Sequence, residues 1–150
     1  MEKAQVDVGL SVITAGIASI FAFLGLNEIQ FIILASLMGI DMLTGIAKAY
    51  RLNKRNITSH RMGLGCISKL LYLLVPLIIA LAMKGLDVKF GEWLIAFTIN
   101  ALILTETYSN IANIYTFRTG KSVHEIDATS YILKAIKNQL DRLLDGGGKK

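Results

Sequence analysis

Residues 29–55 read IQFIILASLMGIDMLTGIAKAYRLNKR. The stretch opens with a run of apolar side chains as long as a membrane span, about 20 residues, and closes on a cluster of cations. One carboxylate, Asp41, sits inside the run. A soluble helix of this length carries charge along one whole face, whereas here the charge is swept to one end. The segment therefore reads as a transmembrane helix whose basic end stays in the cytoplasm.

Working outward, three more apolar runs of similar length appear, so that the predicted spans cover residues 8–26, 29–47, 67–83 and 93–115. Asn27 and Glu28 separate the first two, a short connection of the kind helical hairpins tolerate. Lys and Arg set the orientation. With four spans, every basic residue except Lys84 and Lys89 falls on one side, sixteen being the total. Asp87 and Glu92 balance those two. Three spans would put the basic segment 48–61 and the basic tail on opposite faces. The expectation is a four-span, all-α integral membrane protein, with a transmembrane domain over residues 1–116 and both termini in the cytoplasm. Residues 117–150 form a cytoplasmic amphipathic helix and basic tail. In that helix Asp127 or Thr129 is the expected cap, and Leu133, Ile136, Leu140 and Leu143 share one face. Lys134, Lys137 and Arg142 lie off it, which suits either a lipid interface or a neighbouring subunit. Residues 146–150, GGGKK, read as a flexible charged end.

Composition narrows the function classes. Apolar residues make up 53% of the chain and charged ones 18%, too few to cover a soluble surface of this size. The net charge of +5 has no stacking aromatics interleaved with it, so the partner expected is anionic lipid and not nucleic acid. The single Cys66 rules out an internal disulfide, and His60 and His124 stand alone as loop residues. No phosphate-binding glycine loop, metal spacing or nucleophile–base pair is recognisable. The chain reads as no enzyme, with no cofactor. The first apolar run lacks a strongly basic lead-in and is span-length, so no cleavable leader is expected.

Two carboxylates in apolar runs carry the functional signal. Each costs about 2.5–3.5 kcal/mol near the bilayer centre on insertion scales, so each is expected to face protein or water. Asp41, Thr44, Gly45 and Lys48 share one side of their helix, and Glu106, Ser109, Asn110 and Asn113 repeat that spacing on another. Lys69 falls at the cytoplasmic start of the third span, in the same half of the membrane. It either neutralises the acids or snorkels to the head groups while the acids stay protonated. Few partners exist inside one small bundle, so self-association or a wet lumen is the expected use of these stripes. Asn100, off the stripe, is assigned a separate interhelical bond. Ser11, Ala15 and Ser19 recur every four residues on the first helix, with Ala18 and Ala22 beside them. That is the pattern of closely approaching membrane helices, and of any Ala-rich helix. Pro76 frees the carbonyl of Tyr72 and predicts a bend in the third helix.

Three segments in order, GIDMLTGIAKAY (39–50), NITSHRMGLGCISK (56–69) and TETYSNIAN (105–113), resemble the toxin-secretion/phage-lysis class of phage holins. Asp41, Thr44 and Gly45 match its Asp-x-x-Thr-Gly element. Ser59, Gly63, Gly65 and Lys69 match its Gly-rich stretch leading to a lysine. Glu106, Ser109 and Asn113 match its late helix, where Ala112 stands in place of a second Glu. The resemblance spans about residues 29–143. It implies a protein that accumulates in the host cytoplasmic membrane, associates with copies of itself and opens lesions. Through these a murein-degrading endolysin or a toxin leaves the cell. A constitutive oligomeric channel, or an anchor subunit of a phage-derived apparatus, is the alternative.

Overall fold

The computed structural model describes residues 2–52, 58–86, 91–123 and 128–146. Among them every regular element is an α-helix: α1 (Glu2–Leu24), α2 (Glu28–Leu52), α3 (Ser59–Leu86), α4 (Gly91–Thr119) and α5 (Ala128–Gly146). Two of these, α2 and α3, are long and apolar enough to cross a membrane, and the apolar part of α1, Gly9–Leu24, is shorter.

The α1–α2 connection is tight because its residues satisfy both helix ends. Gly25 adopts φ 68°, a left-handed conformation that costs a glycine nothing. The Leu26 amide then donates to the Phe21 carbonyl at 2.9 Å, and the Gly25 amide to that of Ala22 at 3.2 Å. This pair of bonds closes the last turn of α1. Asn27 starts α2 by accepting the Gln30 amide on its side-chain oxygen at 3.2 Å. Phe21 and Phe31 meet edge to face across the hairpin, 5.0 Å between centroids.

Helices α2, α3 and α4 form the bundle. Cross-bonds join Gln30 to Asn100, Leu37 to Asn110 and Asp41 to Asn113, so residue numbers rise together and α2 runs parallel to α4. Met83 of α3 packs on Gly91 of α4, where a Cβ would lie 3.0 Å from that of Met83. Lys69 meets Glu106, so α3 runs antiparallel to both. The bundle is layered. Near the α1–α2 turn the core is apolar, built on Leu24, Leu34, Met38, Ile79, Leu94 and Ile99. Beyond Met38 and Leu102 it becomes polar.

Several boundaries differ from the sequence expectation. Helix α3 starts at Ser59, eight residues before the predicted span, with the Thr58 hydroxyl accepting the Arg61 amide as its cap. His60, Arg61, Gly63 and Gly65 are thus helical, and Lys69 lies about three turns inside α3 instead of at its start. A helix and the apolar part of it are different objects: hydropathy finds the second. Pro76 is buried within α3, which continues through it as one helix. On α5, Ile132 is buried and Ile136 half-buried against α4, while Leu133 and Leu140 are exposed. The packed face is therefore rotated from the predicted one. The partner is the chain's own α4, on a flank that includes Phe97, Ala101 and Leu104. The side chains of Thr129 and Leu143, the residues Asp127 and His124, and the segments 53–57, 87–90 and 147–150 lie outside the described residues.

Candidate functional site

The polar layer is assembled from one face of each bundle helix. Asp41, Thr44 and Gly45 come from α2, Lys69 from α3, and Glu106, Asn110 and Asn113 from α4. The Lys69 ammonium donates to both oxygens of Glu106, at 2.6 and 2.5 Å, and lies 2.9 Å from Oδ2 of Asp41. One cation thus ties three helices together. Glu106 is 4% exposed. Two carboxylates thus share one ammonium.

Amides and a hydroxyl complete the network. Asn113 Nδ2 donates to Oδ1 of Asp41 at 2.9 Å and to the Thr44 hydroxyl at 3.3 Å. Asn110 Nδ2 divides its two protons between the backbone carbonyls of Leu37, at 3.1 Å, and Glu106, at 2.8 Å. The Thr44 hydroxyl donates to Oδ1 of Asn110 at 3.1 Å. Both donors of each amide are used, the condition under which a buried polar network is tolerated. A Cβ at Gly45 would stand 3.8 Å from Asn113 Nδ2, an ordinary contact that an alanine could make.

A cavity of about 440 Å³ opens beside the triad. Asp41, Lys48, Lys69, Glu106 and Ser109 supply its polar wall, with Tyr72, Thr105 and Tyr108 completing it. These last three were not singled out from the sequence; nothing in their spacing separates them from ordinary helix residues. Ser109 belongs here, on the cavity, and not in the hydrogen-bonded seam. Thr116, one turn beyond Asn113, is fully buried and its hydroxyl has no hydrogen-bond partner. The bond assigned to Asn100 is present, as its side-chain oxygen accepts from Gln30 at 3.3 Å.

The stripes thus differ from expectation in part. Self-association or a lumen was expected to absorb them, yet Asp41, Thr44, Glu106, Asn110 and Asn113 are bonded within a single chain, while Lys48 and Ser109 line the cavity. Parallel packing of α2 on α4 aligns two stripes of equal spacing, which a reading of each helix alone does not reveal. Ser11, Ala15 and Ser19 stay outside this site. They are exposed on α1, where the Ser19 hydroxyl donates to the Ala15 carbonyl at 2.8 Å. Among the described residues no group of three or more His, Cys, Asp or Glu side chains is placed to hold a metal ion.

The sequence profile of the bacteriophage holin family matches residues 18–143, from the last third of α1 to the last turn of α5. No curated protein and no solved structure matches the chain.

Proposed function

The chain belongs to the bacteriophage holin family, and from that premise we propose that it accumulates in the host cytoplasmic membrane as a four-span protein and opens lesions there. Helices α1 to α4 are the spans and both termini face the cytoplasm. Helix α4 is less apolar than α2 and α3. It packs along α2 over most of its length, so if α2 crosses the bilayer then α4 shares its depth, with its polar groups turned inward. Copies associate, and the lesion passes a murein-degrading endolysin or a toxin.

The observation that carries this reading is the Lys69 triad with its amides. A seam of this polarity in the membrane half of a bundle must meet protein or water. In the quiescent chain it meets protein. When lesions form, the same side chains turn to water and line the rim, so one set of residues serves two states.

Cysteine accessibility tests this. In a Cys66→Ser background, a Cys at Asn113 or Ser109 is challenged with an impermeant thiol reagent before and after induced loss of membrane potential. Labelling of Asn113→Cys that rises only after onset supports the opening seam. Constant protection through lysis would mean that the seam is a permanent joint, and lesions are then lined by other faces.

The topology also makes a demand on α5. Its exposed Lys134 and Lys137 cannot stay beside the apolar part of α4 once that helix is surrounded by lipid, at about 2.5–3.5 kcal/mol per cation. In the membrane α5 leaves that flank for the head-group layer.

A further inference from the structure

A second opening lies on the other side of the Asp41–Lys69 bridge, between α2 and α3. It has a volume of about 230 Å³. Its walls are Met42, Ile46 and Ala49 of α2 with Met62 and Gly65 of α3, and Arg61 stands at one end. The bridge closes the opposite end. Apart from that bridge the walls are apolar, and Gly65 has open space where a Cβ would be.

We infer that this groove holds one acyl chain of an anionic phospholipid, with the lipid phosphate on Arg61. A narrow apolar slot suits a length of chain. Charge sets the direction: at the inner end the Lys69 ammonium is already taken by Asp41 and Glu106, and the Arg61 guanidinium at the outer end is the cation that attracts a phosphate. Depth agrees as well, since Arg61 is in the first turn of α3, at the end of the bundle that also carries Arg51 and Arg118. That end faces the cytoplasm in the topology proposed above, so the lipid belongs to the inner leaflet. Gly45, Ala49 and Gly65 keep the two helices' facing sides small, and α2 and α3 leave a space there that their own side chains do not fill. The inference rests on membrane insertion but not on lesion formation.

The test uses the full chain reconstituted in vesicles that contain phosphatidylglycerol with a photoreactive group on its acyl chain. Crosslinked sites are mapped by peptide mass spectrometry. Adducts are expected to concentrate on Met42, Ile46 and Met62, above the level on the outer faces of α1 and α4. Gly65→Leu, or Ala49→Leu from the other wall, fills the slot and removes that excess while adducts elsewhere persist. Arg61→Gln lowers the preference for phosphatidylglycerol over phosphatidylcholine by about fivefold, the equivalent of about 1 kcal/mol for one cation at an anionic surface. Millimolar inorganic phosphate leaves the adducts unchanged. Adducts spread evenly, insensitive to both filling variants or displaced by inorganic phosphate, would overturn the site alone. So would copy-to-copy crosslinks through Met62 with no lipid there. No adducts anywhere would overturn membrane insertion itself.

Discussion

Helices α1 and α4 invert the rule that governs soluble folds. Helix α1 is almost wholly apolar beyond Asp7, yet Leu10, Ile13, Ile17 and Ile20 are exposed and only its Leu24 end is buried. Helix α4 carries Glu106, Asn110 and Asn113, and it is the most buried helix in the chain, touching α2, α3 and α5. In water, α1 would be the core and α4 the surface. With α1 and α4 in lipid, as proposed above, the apolar helix would gain nothing from a protein neighbour, because hydrocarbon would surround it already, and the polar helix would be the one to enclose. The polar half of this bundle is therefore set by hydrogen bonds and one ion cluster, beside an apolar half built on Leu34, Ile79, Leu94 and Ile99.

The contrast breaks most sharply at Lys69. Lys69→Met strands two carboxylates and is expected to destabilise the bundle by about 3–5 kcal/mol, read as thermal unfolding of the detergent-solubilised chain. Lys69→Met with Glu106→Gln should recover part of that loss, since fewer charges are left uncompensated. Glu106→Gln alone should be milder than Lys69→Met. If Lys69→Met unfolds at the parent temperature, α4 is not held by charge and the comparison fails.

Asn113→Leu comes next. It removes the bonds to Asp41 and Thr44, for an expected loss of about 1–3 kcal/mol from acceptors left bare. At the apolar end of the same helix pair, Asn100→Leu removes one exposed bond from Gln30 and should cost about 0.6 kcal/mol, the usual size of an interhelical bond in membranes. Equal losses at the two ends would show that burial of the seam does not matter.

Thr116→Val has the opposite sign. It deletes a buried hydroxyl that lacks a partner, at nearly constant shape, so stability should stay level or rise, by up to about 1 kcal/mol. A clear fall in unfolding temperature would mean that the hydroxyl is bonded. On α1 the smallest effect is expected. Ser19→Leu should leave unfolding within about 0.5 kcal/mol of the parent, as exposed positions do, while weakening any crosslinking ladder between copies if the small-residue row joins them.

How much of this was legible in the sequence depends on the range of the interaction. The hairpin at Gly25 and Asn27 is local, and its residue types announce it. Asp41, Lys69 and Glu106 stand out because each is a charge in an apolar setting. Their union does not follow from any one helix; it needs the parallel register of α2 on α4 and the extra turns of α3 before Ile67. The start of α3 was missed because Arg61, Gly63 and Gly65 look like loop to a reading based on hydropathy. The α5 face packed on α4 starts at Ile132, one position before the Leu133 stripe, because only contact with α4 chooses between two adjacent apolar residues.

The turn at Gly25 has a mechanical consequence. Its two nested amide bonds, together with buried Leu24 and Leu26, make it a pivot anchored in the bundle. Helix α1, 23 residues, is then a lever of about 35 Å at 1.5 Å per residue. A swing of about 10° at the pivot carries its far end sideways by about 6 Å, on the order of half a helix diameter. Small adjustments beside Leu24 are thereby magnified along α1, to about 4 Å at Ser11, about 21 Å from the pivot, and to the full amount only at Glu2.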